Sequence, residues 1–170
     1  MHQQLFYSVF KTAAGWVGIL GSSAGLTRIT LPESSEKEAV SLLGDNLSKA
    51  NLSPQFFEDL MIRFQSYFSG RRADFSYKLD LSEATSFQRQ VWEVARRIPY
   101  GQTRSYAWVA GEIGKPEAAR AVGQALGKNP LPIIIPCHRV LASSGGLGGF
   151  SGGLEMKKYL LTLEKKADAE

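Results

Sequence analysis

The stretch Ser105-Tyr106-Ala107-Trp108-Val109-Ala110-Gly111-Glu112-Ile113-Gly114-Lys115-Pro116-Glu117-Ala118-Ala119-Arg120-Ala121-Val122-Gly123-Gln124-Ala125-Leu126 decides the architecture of the second half of the chain. Ser105, or Thr103 before it, can cap a helix from Tyr106 to Ile113; Gly114 breaks that helix, and Pro116 starts another that runs to Leu126. Two short helices about a glycine-bearing turn form the helix-turn-helix pattern, which helical hairpins without a nucleic-acid partner share. The second helix is slim: Ala118, Ala119, Ala121, Gly123 and Ala125 flank Arg120, its one long cationic side chain before Lys128. Reading major-groove base edges normally takes a row of Arg, Asn, Gln or Lys. Two roles fit so narrow a helix: tight packing against a neighbour, or entry into a minor groove with one arginine filling the base stack.

Upstream, Thr85 or Ser86 can cap a helix with the apolar face Phe87, Val91, Trp92, Val94, Ala95 and Ile98, closed by Pro99 and Gly101. Earlier still, Leu5–Phe10, Trp16–Gly21 and Leu26–Leu31 are short apolar and β-branched runs parted by Gly15, Ser22, Ser23 and Gly25, the pattern of an antiparallel meander. Helices are predicted over Glu36–Ser48 and Pro54–Phe68. In the second, Phe56, Phe57, Leu60, Phe64 and Phe68 recur at spacings of three and four, a core stripe. Phe75–Leu81 is a last strand or an extended linker. A boundary at Leu81–Thr85 therefore separates an α+β N-terminal domain, residues 1–81, from a mainly helical domain, residues 85–170.

Among 170 residues, 44% are hydrophobic and 21% charged, the composition of an ordinary globular chain with room for these two small cores. A single cysteine excludes an internal disulfide and a cysteine-rich zinc site, and two histidines leave little for a metal centre, so no metal or cofactor is expected. No apolar run approaches a membrane span, and Met1–Thr12 lacks the features of a secretory signal; a cytoplasmic, reducing setting with no membrane partner is expected. The net charge of +4 comes with Arg89, Arg96, Arg97, Arg104, Lys115, Arg120, Lys128 and Arg139 in the second half, interleaved with Tyr100, Tyr106 and Trp108. That mixture suits phosphates and bases, and solvated helix faces equally.

The lone Cys137 sits inside the run Ile133-Ile134-Ile135-Pro136-Cys137-His138-Arg139-Val140. Sulfur reacts as thiolate, and a neighbouring base or cation lowers its pKa from about 8.5, so the Cys-His-Arg setting suggests an activated nucleophile rather than a small apolar filler. Behind it, Ala142–Gly153 is rich in glycine and serine, a loop that can lie close to a ligand. A final helix from Leu154 directs Met156, Leu160, Leu161 and Leu163 inward. Glu164 sits near its end, where the helix dipole disfavours a carboxylate, which hints at a partner elsewhere.

Pro136-Cys137-His138-Arg139-Val140, the upstream Asn129-Pro130, the helix Ala118-Ala119-Arg120-Ala121-Val122-Gly123, Ser105-Tyr106, and the tail Ser151-Gly152-Gly153-Leu154 through Lys157 to Leu160-Leu161 and Glu164 together resemble the O6-alkylguanine-DNA alkyltransferases. The likeness spans roughly Phe87–Glu164; the first half resembles the family's variable N-terminal domain only in architecture. The resemblance implies a small ribonuclease H-like α/β domain followed by a winged-helix-like helix-turn-helix domain. It implies a monomer that acts on double-stranded DNA carrying O6-alkylguanine, with O4-methylthymine as a second substrate and cooperative binding left open. Members bind the minor groove, flip the alkylated base and move its alkyl group irreversibly to cysteine. By this resemblance Cys137 is the acceptor, His138 its base through a water, and Glu164 the residue that orients His138. Tyr106 is the donor near N3 of the base, Asn129 braces the cysteine turn, and Arg120 fills the gap in the duplex, with Ala118, Ala119 and Gly123 along the groove. Val140 and Ser151 would recognise the base edge, while Leu126, Leu147 and Phe150 form pocket walls.

Phe150 stands where relatives often carry tyrosine, so any bond of that hydroxyl is missing. The first half has no cysteine, which removes the zinc site and the phosphotriester acceptor found in some relatives, together with the transcription-activating role the latter supports. The alternatives are a lesion-sensing alkyltransferase-like protein, which lacks the acceptor cysteine; a helix-turn-helix regulator, which needs more base-reading side chains; and a cysteine hydrolase.

Overall fold

The computed structural model describes residues 3–169 and divides into two compact units, Met1–Leu81 and Ser82–Glu170. In the first, β1 (Leu5–Thr12), β2 (Gly15–Ser22) and β3 (Gly25–Ile29) form the antiparallel meander. The sheet has a fourth member that the sequence pattern misses: β4 (Ala50–Leu52) lies parallel to β1, giving the order β3-β2-β1-β4. Between β3 and β4 the predicted helix over Glu36–Ser48 is cut short. α1 spans only Glu36–Ser41, Gly44 turns the chain at φ +89°, and a 3-10 turn covers Asp45–Lys49.

Pro54–Phe57 likewise forms a 3-10 turn ahead of α2 (Glu58–Phe68). Phe57, Leu60, Phe64 and Phe68 are buried as the stripe requires, but Phe56 is 43% exposed and stacks instead on Phe6, ring centroids 4.6 Å apart. The 3-10 turn rotates Phe56 off the helical face that carries the others. Phe75–Leu81 runs extended. Leu26 N–H donates to the Lys78 carbonyl and Asp80 N–H to the Leu26 carbonyl, so the segment is bridged to β3 at Leu79. Gly25 permits this approach: its φ is +137°, and a Cβ there would stand 2.7 Å from the Leu79 carbonyl carbon.

The second unit begins with α3 (Ser86–Arg96). Thr85 caps it by accepting from Gln88 N–H, and the Gln88 side chain returns the bond to Thr85 N–H. Thr85→Ala removes half of this capping box and is expected to cost about 1 kcal/mol in urea unfolding; a loss indistinguishable from zero would mean that the cap adds nothing to stability. Val91, Trp92, Val94, Ala95 and Ile98 are buried, Phe87 only partly. Trp92 Nε1–H donates to the Ala125 carbonyl at 2.8 Å, fixing the far end of the helix-turn-helix pair.

That pair is α4 (Tyr106–Glu112), capped by Ser105, and α5 (Ala119–Gly127). Pro116 does not start α5. Ala118 N–H donates to the Lys115 carbonyl, so Pro116 occupies the second position of a turn, where its fixed φ is favoured, and α5 begins three residues later than the sequence suggests. A two-stranded parallel pair, β5 (Arg104–Ser105) and β6 (Val140–Leu141), ties the start of α4 to the chain just after Cys137. The last element is α6 (Leu154–Ala169). Among the described residues no helix is long and apolar enough to cross a membrane.

The stripe that α6 buries is not the one expected. Lys157, Leu160 and Glu164 are fully buried, while Met156, Leu161 and Leu163 are only partly so. Positions i, i+3 and i+7 share a helix face, and here two of the three carry charge.

Candidate active site

Cys137 does not end a strand. Pro136 turns the chain, and Cys137–Arg139 form one 3-10 turn before β6, so the three side chains fan out around the turn instead of alternating as an extended backbone would set them. Asn129 braces this turn at two points: its Nδ2 donates to the Ile135 carbonyl and its Oδ1 accepts from Leu131 N–H, both at 2.8 Å. Between them Ile133 holds φ +75°, the one non-glycine residue at positive φ among the described residues. A β-branched residue there is disfavoured, and the Asn129 bonds help to hold it.

Cys137 opens onto a cleft of about 610 Å3 walled by α5, Tyr106 and the loop after β6. Of the residues expected at the site, Tyr106, Ala119, Arg120, Gly123, Leu126, Cys137, Phe150 and Ser151 line this one cleft. Four others do not. Ala118 is the N-cap residue of α5, one position short of the wall. Asn129 stands behind Cys137, bonded to the turn. Val140 is buried, and both its carbonyl and that of Leu147 are turned toward Lys157, so neither side chain forms the wall. Arg120 is exposed on α5, where it can reach outward. The slimness of the helix has a use at Gly123, where a Cβ would touch the Tyr106 ring at 3.7 Å.

Behind the wall lies a buried polar cluster. His138 Nε2 meets Glu164 Oε2 at 2.6 Å, and Arg139 grips the same carboxylate through Nε at 2.8 Å and Nη2 at 3.0 Å while Nη1 donates to the Ile98 carbonyl. Glu164 thus has the partner expected of it, although α6 runs on to Ala169 and leaves it more than a turn from the helix end where the sequence places it. Burial by itself would raise the Glu164 carboxyl, but its bonds and charge interactions with His138 and Arg139 outweigh that and hold it well below the usual carboxylate range. Burial, helped by the Arg139 and Lys157 charges, lowers His138 against the pull of Glu164. Carboxylate and guanidinium thus form the ion pair, and His138 is a neutral imidazole donating Nε2–H to Glu164. Its Nδ1 is buried without a hydrogen-bond partner among the described residues.

Cys137 is not the depressed thiol the sequence suggests. Burial pushes it up, against the Asn129 hydrogen bond and the Lys157 charge, so at rest it is a thiol in need of a base. Lys157, given no role by sequence reasoning, is a further buried charge beside this cluster. Its ammonium donates to the carbonyls of Val140, Leu147 and Gly149 and, at 3.4 Å, to the Tyr106 hydroxyl, and it lies 5.6 Å and 5.9 Å from the Tyr106 and Phe150 ring centroids. Burial lowers it to about 8. It pins the glycine-rich loop where Gly148, at φ +69°, passes so close to Tyr106 that a Cβ would come within 2.6 Å of the phenol oxygen. The Tyr106 hydroxyl donates to the Gly149 carbonyl at 3.3 Å. The sequence signal for Lys157 and Glu164 is the helical face they share with Leu160.

Residues 86–166 match the family model of the 6-O-methylguanine DNA methyltransferase DNA-binding domain. A methylated-DNA–protein-cysteine methyltransferase of Methanosarcina acetivorans is 37% identical over 94% of this chain and 98% of its own length. The O6-methylguanine methyltransferase of Mycobacterium tuberculosis, solved as a variant, superposes with a TM-score of 0.82 at 38% identity, over 96% of this chain and 94% of that one. The same bacterium's OGT solved in complex with DNA gives 0.80 at 38% identity, over 95% and 94%. The likeness in sequence and fold runs along nearly the full length of these relatives, and the chain belongs to the methylated-DNA–protein-cysteine methyltransferase family of DNA-repair enzymes.

Proposed function

We propose that this protein repairs duplex DNA by taking the alkyl group of O6-alkylguanine, methyl above all, onto Cys137 in a single irreversible event. The observation that carries the reading is the single cleft in which the thiol of Cys137, the Tyr106 phenol and the Arg120-bearing face of α5 meet. Its volume lies in the roughly 300–1,000 Å3 range of small-ligand sites, enough for one base but not for a duplex, so the base must leave the stack to reach the sulfur.

The chemistry follows from the resting charges. His138 Nδ1, its lone pair left free because Nε2–H is committed to Glu164, takes the thiol proton through a bridging water. The thiolate attacks the alkyl carbon in line; the S–C bond forms as the C–O6 bond breaks, and the electron pair passes into the guanine ring. The Tyr106 hydroxyl, poised at the loop carbonyl, supplies the donor at N3 that offsets this charge. The product thioether has no leaving group that water can displace, hence one event per molecule. Ser151 and the backbone of the Lys157-pinned loop read the base edge, and Leu126 and Phe150 supply apolar walls. The slim α5 enters the minor groove with Arg120 in the gap left by the flipped base. Val140 and Leu147 act through their backbone carbonyls, which hold Lys157, and Asn129 acts through the turn it braces. We read the first unit as the family's ribonuclease H-like domain and the second as a winged-helix-like one, in a cytoplasmic monomer.

The Arg120 role has a specific test. Arg120→Ala is expected to slow transfer from duplex DNA at least tenfold while leaving reaction with free O6-methylguanine base within a factor of two, since only the duplex has a gap to fill. Single-turnover rates on both substrates measure this, and equal effects on the two contradict it.

A further inference from the structure

Arg139 takes no part in the transfer step, yet its guanidinium is bonded on all three nitrogens. Nε and Nη2 hold the two oxygens of Glu164, Nη1 holds the Ile98 carbonyl, and the Tyr100 ring lies 5.5 Å from the central carbon. Glu164 receives a further bond from Gly101 N–H at 3.3 Å and its shortest one from His138. The carboxylate is therefore surrounded by donors, and its charge is already matched.

The consequence lies in the charge count. A buried carboxylate whose only partner is an imidazole draws a proton onto that imidazole, because the ion pair is then neutral as a whole. A base that is protonated at rest cannot accept the thiol proton. With Arg139 in place the pair is neutral before His138 is considered, and a proton on His138 leaves one uncompensated positive charge in a fully buried site.

We infer that Arg139 is a positioning residue for the reaction: by occupying both oxygens of Glu164 it keeps His138 neutral, Nε2–H toward the carboxylate and Nδ1 free as the base. The inference rests on the reading of His138 as the base of alkyl transfer. The groups facing His138 all bear on it. From α6 come Glu164, which favours protonation, and Lys157, which opposes it; from its own turn come Arg139, which opposes it, and the neutral thiol of Cys137. The segment after α3 adds the Ile98 carbonyl, the Gly101 N–H and the Tyr100 ring to the same cluster.

The chain has two histidines, His2 and His138, so histidine-selective 15N labelling of the whole protein resolves the site. The expected spectrum for His138 near neutral pH is that of a neutral ring protonated on Nε2, persisting to pH values well below the ordinary imidazole range. Arg139→Met is expected to move the His138 midpoint up by at least one pH unit, and with it the acid limb of the single-turnover transfer rate, a tenfold loss near neutrality that is recovered in alkaline buffer. Arg139→Lys, which keeps the charge but not the fork, is expected to fall between. A wild-type His138 already cationic at neutral pH overturns the inference, and that measurement needs no variant to fold. So does an Arg139→Met protein that loses activity equally at every pH, the signature of a merely structural role. A neutral His138 in a protein that accepts no alkyl group overturns the proposed function, and with it the role of Arg139 in that reaction, while the His138 midpoint in Arg139→Met still decides whether Arg139 holds the ring neutral.

Discussion

Cys137→Ala is expected to abolish alkyl transfer outright while binding of lesion-bearing duplex stays within about threefold of the unsubstituted protein. The chain contains no other thiol, so no second residue can accept the group as a thioether. Cys137 is 6% exposed, and its replacement removes one sulfur atom from a wall whose other members stay in place. Truncating so small a side chain costs on the order of 1 kcal/mol of packing, too little to unfold a domain of ordinary stability. Transfer is read by loss of a labelled methyl from the oligonucleotide, binding by titration of the same duplex. Residual transfer would place the acceptor elsewhere, and lost binding would show that the thiol is needed to shape the cleft.

Glu164→Ala carries the largest expected penalty in stability, about 3–5 kcal/mol, because it takes both carboxylate oxygens from the buried Arg139 guanidinium, leaves it the Ile98 carbonyl, and strips His138 of its acceptor. Against a total of roughly 5–15 kcal/mol for a typical domain, that loss should be plain in urea unfolding, with transfer lost alongside it. The effect has a defined pH dependence. Glu164 is held below its usual range in the folded protein, so its stabilisation is complete above that range and fades as pH falls through about 4.5 toward the folded value. His138, also lowered, binds its proton more readily when unfolded and adds acid destabilisation that sets in as pH falls below about 6.5. The gap between wild type and Glu164→Ala should narrow toward acid pH; a gap constant from neutrality to pH 3 would mean that the carboxylate charge does not matter.

Much of this arrangement can be read from the residues, and the failures have physical causes. The β1–β3 meander follows from apolar runs between glycines, and the Thr85 and Ser105 caps from hydroxyls placed before helical faces. β4 escapes notice because Ala50–Leu52 has only three residues, none with strong strand preference, and gains its place by pairing with β1 across a long connection. Pro116 misleads because proline has two valid uses, first turn of a helix or second position of a turn, which local sequence does not separate. At the site, spacing places Cys137 beside His138, but the 3-10 turn after Pro136 decides where each side chain goes. Lys157 escapes assignment because a lysine on an amphipathic helix is usually solvated; three carbonyls supplied by a loop and strand N-terminal to it make its burial tolerable. The raised thiol has the same kind of origin: neighbours in sequence suggest activation, while burial, a property of the whole fold, opposes it.

The most direct test of the account is the intact mass of the protein before and after one equivalent of duplex oligonucleotide containing O6-methylguanine, followed by fragment mapping. The account predicts the gain of one methyl group in place of a hydrogen, on Cys137, with no further demethylation when more oligonucleotide is added. Tight binding with no change in mass would contradict it and move the protein to lesion sensing; repeated turnover, or a methyl group on another residue, would contradict the single transfer to Cys137.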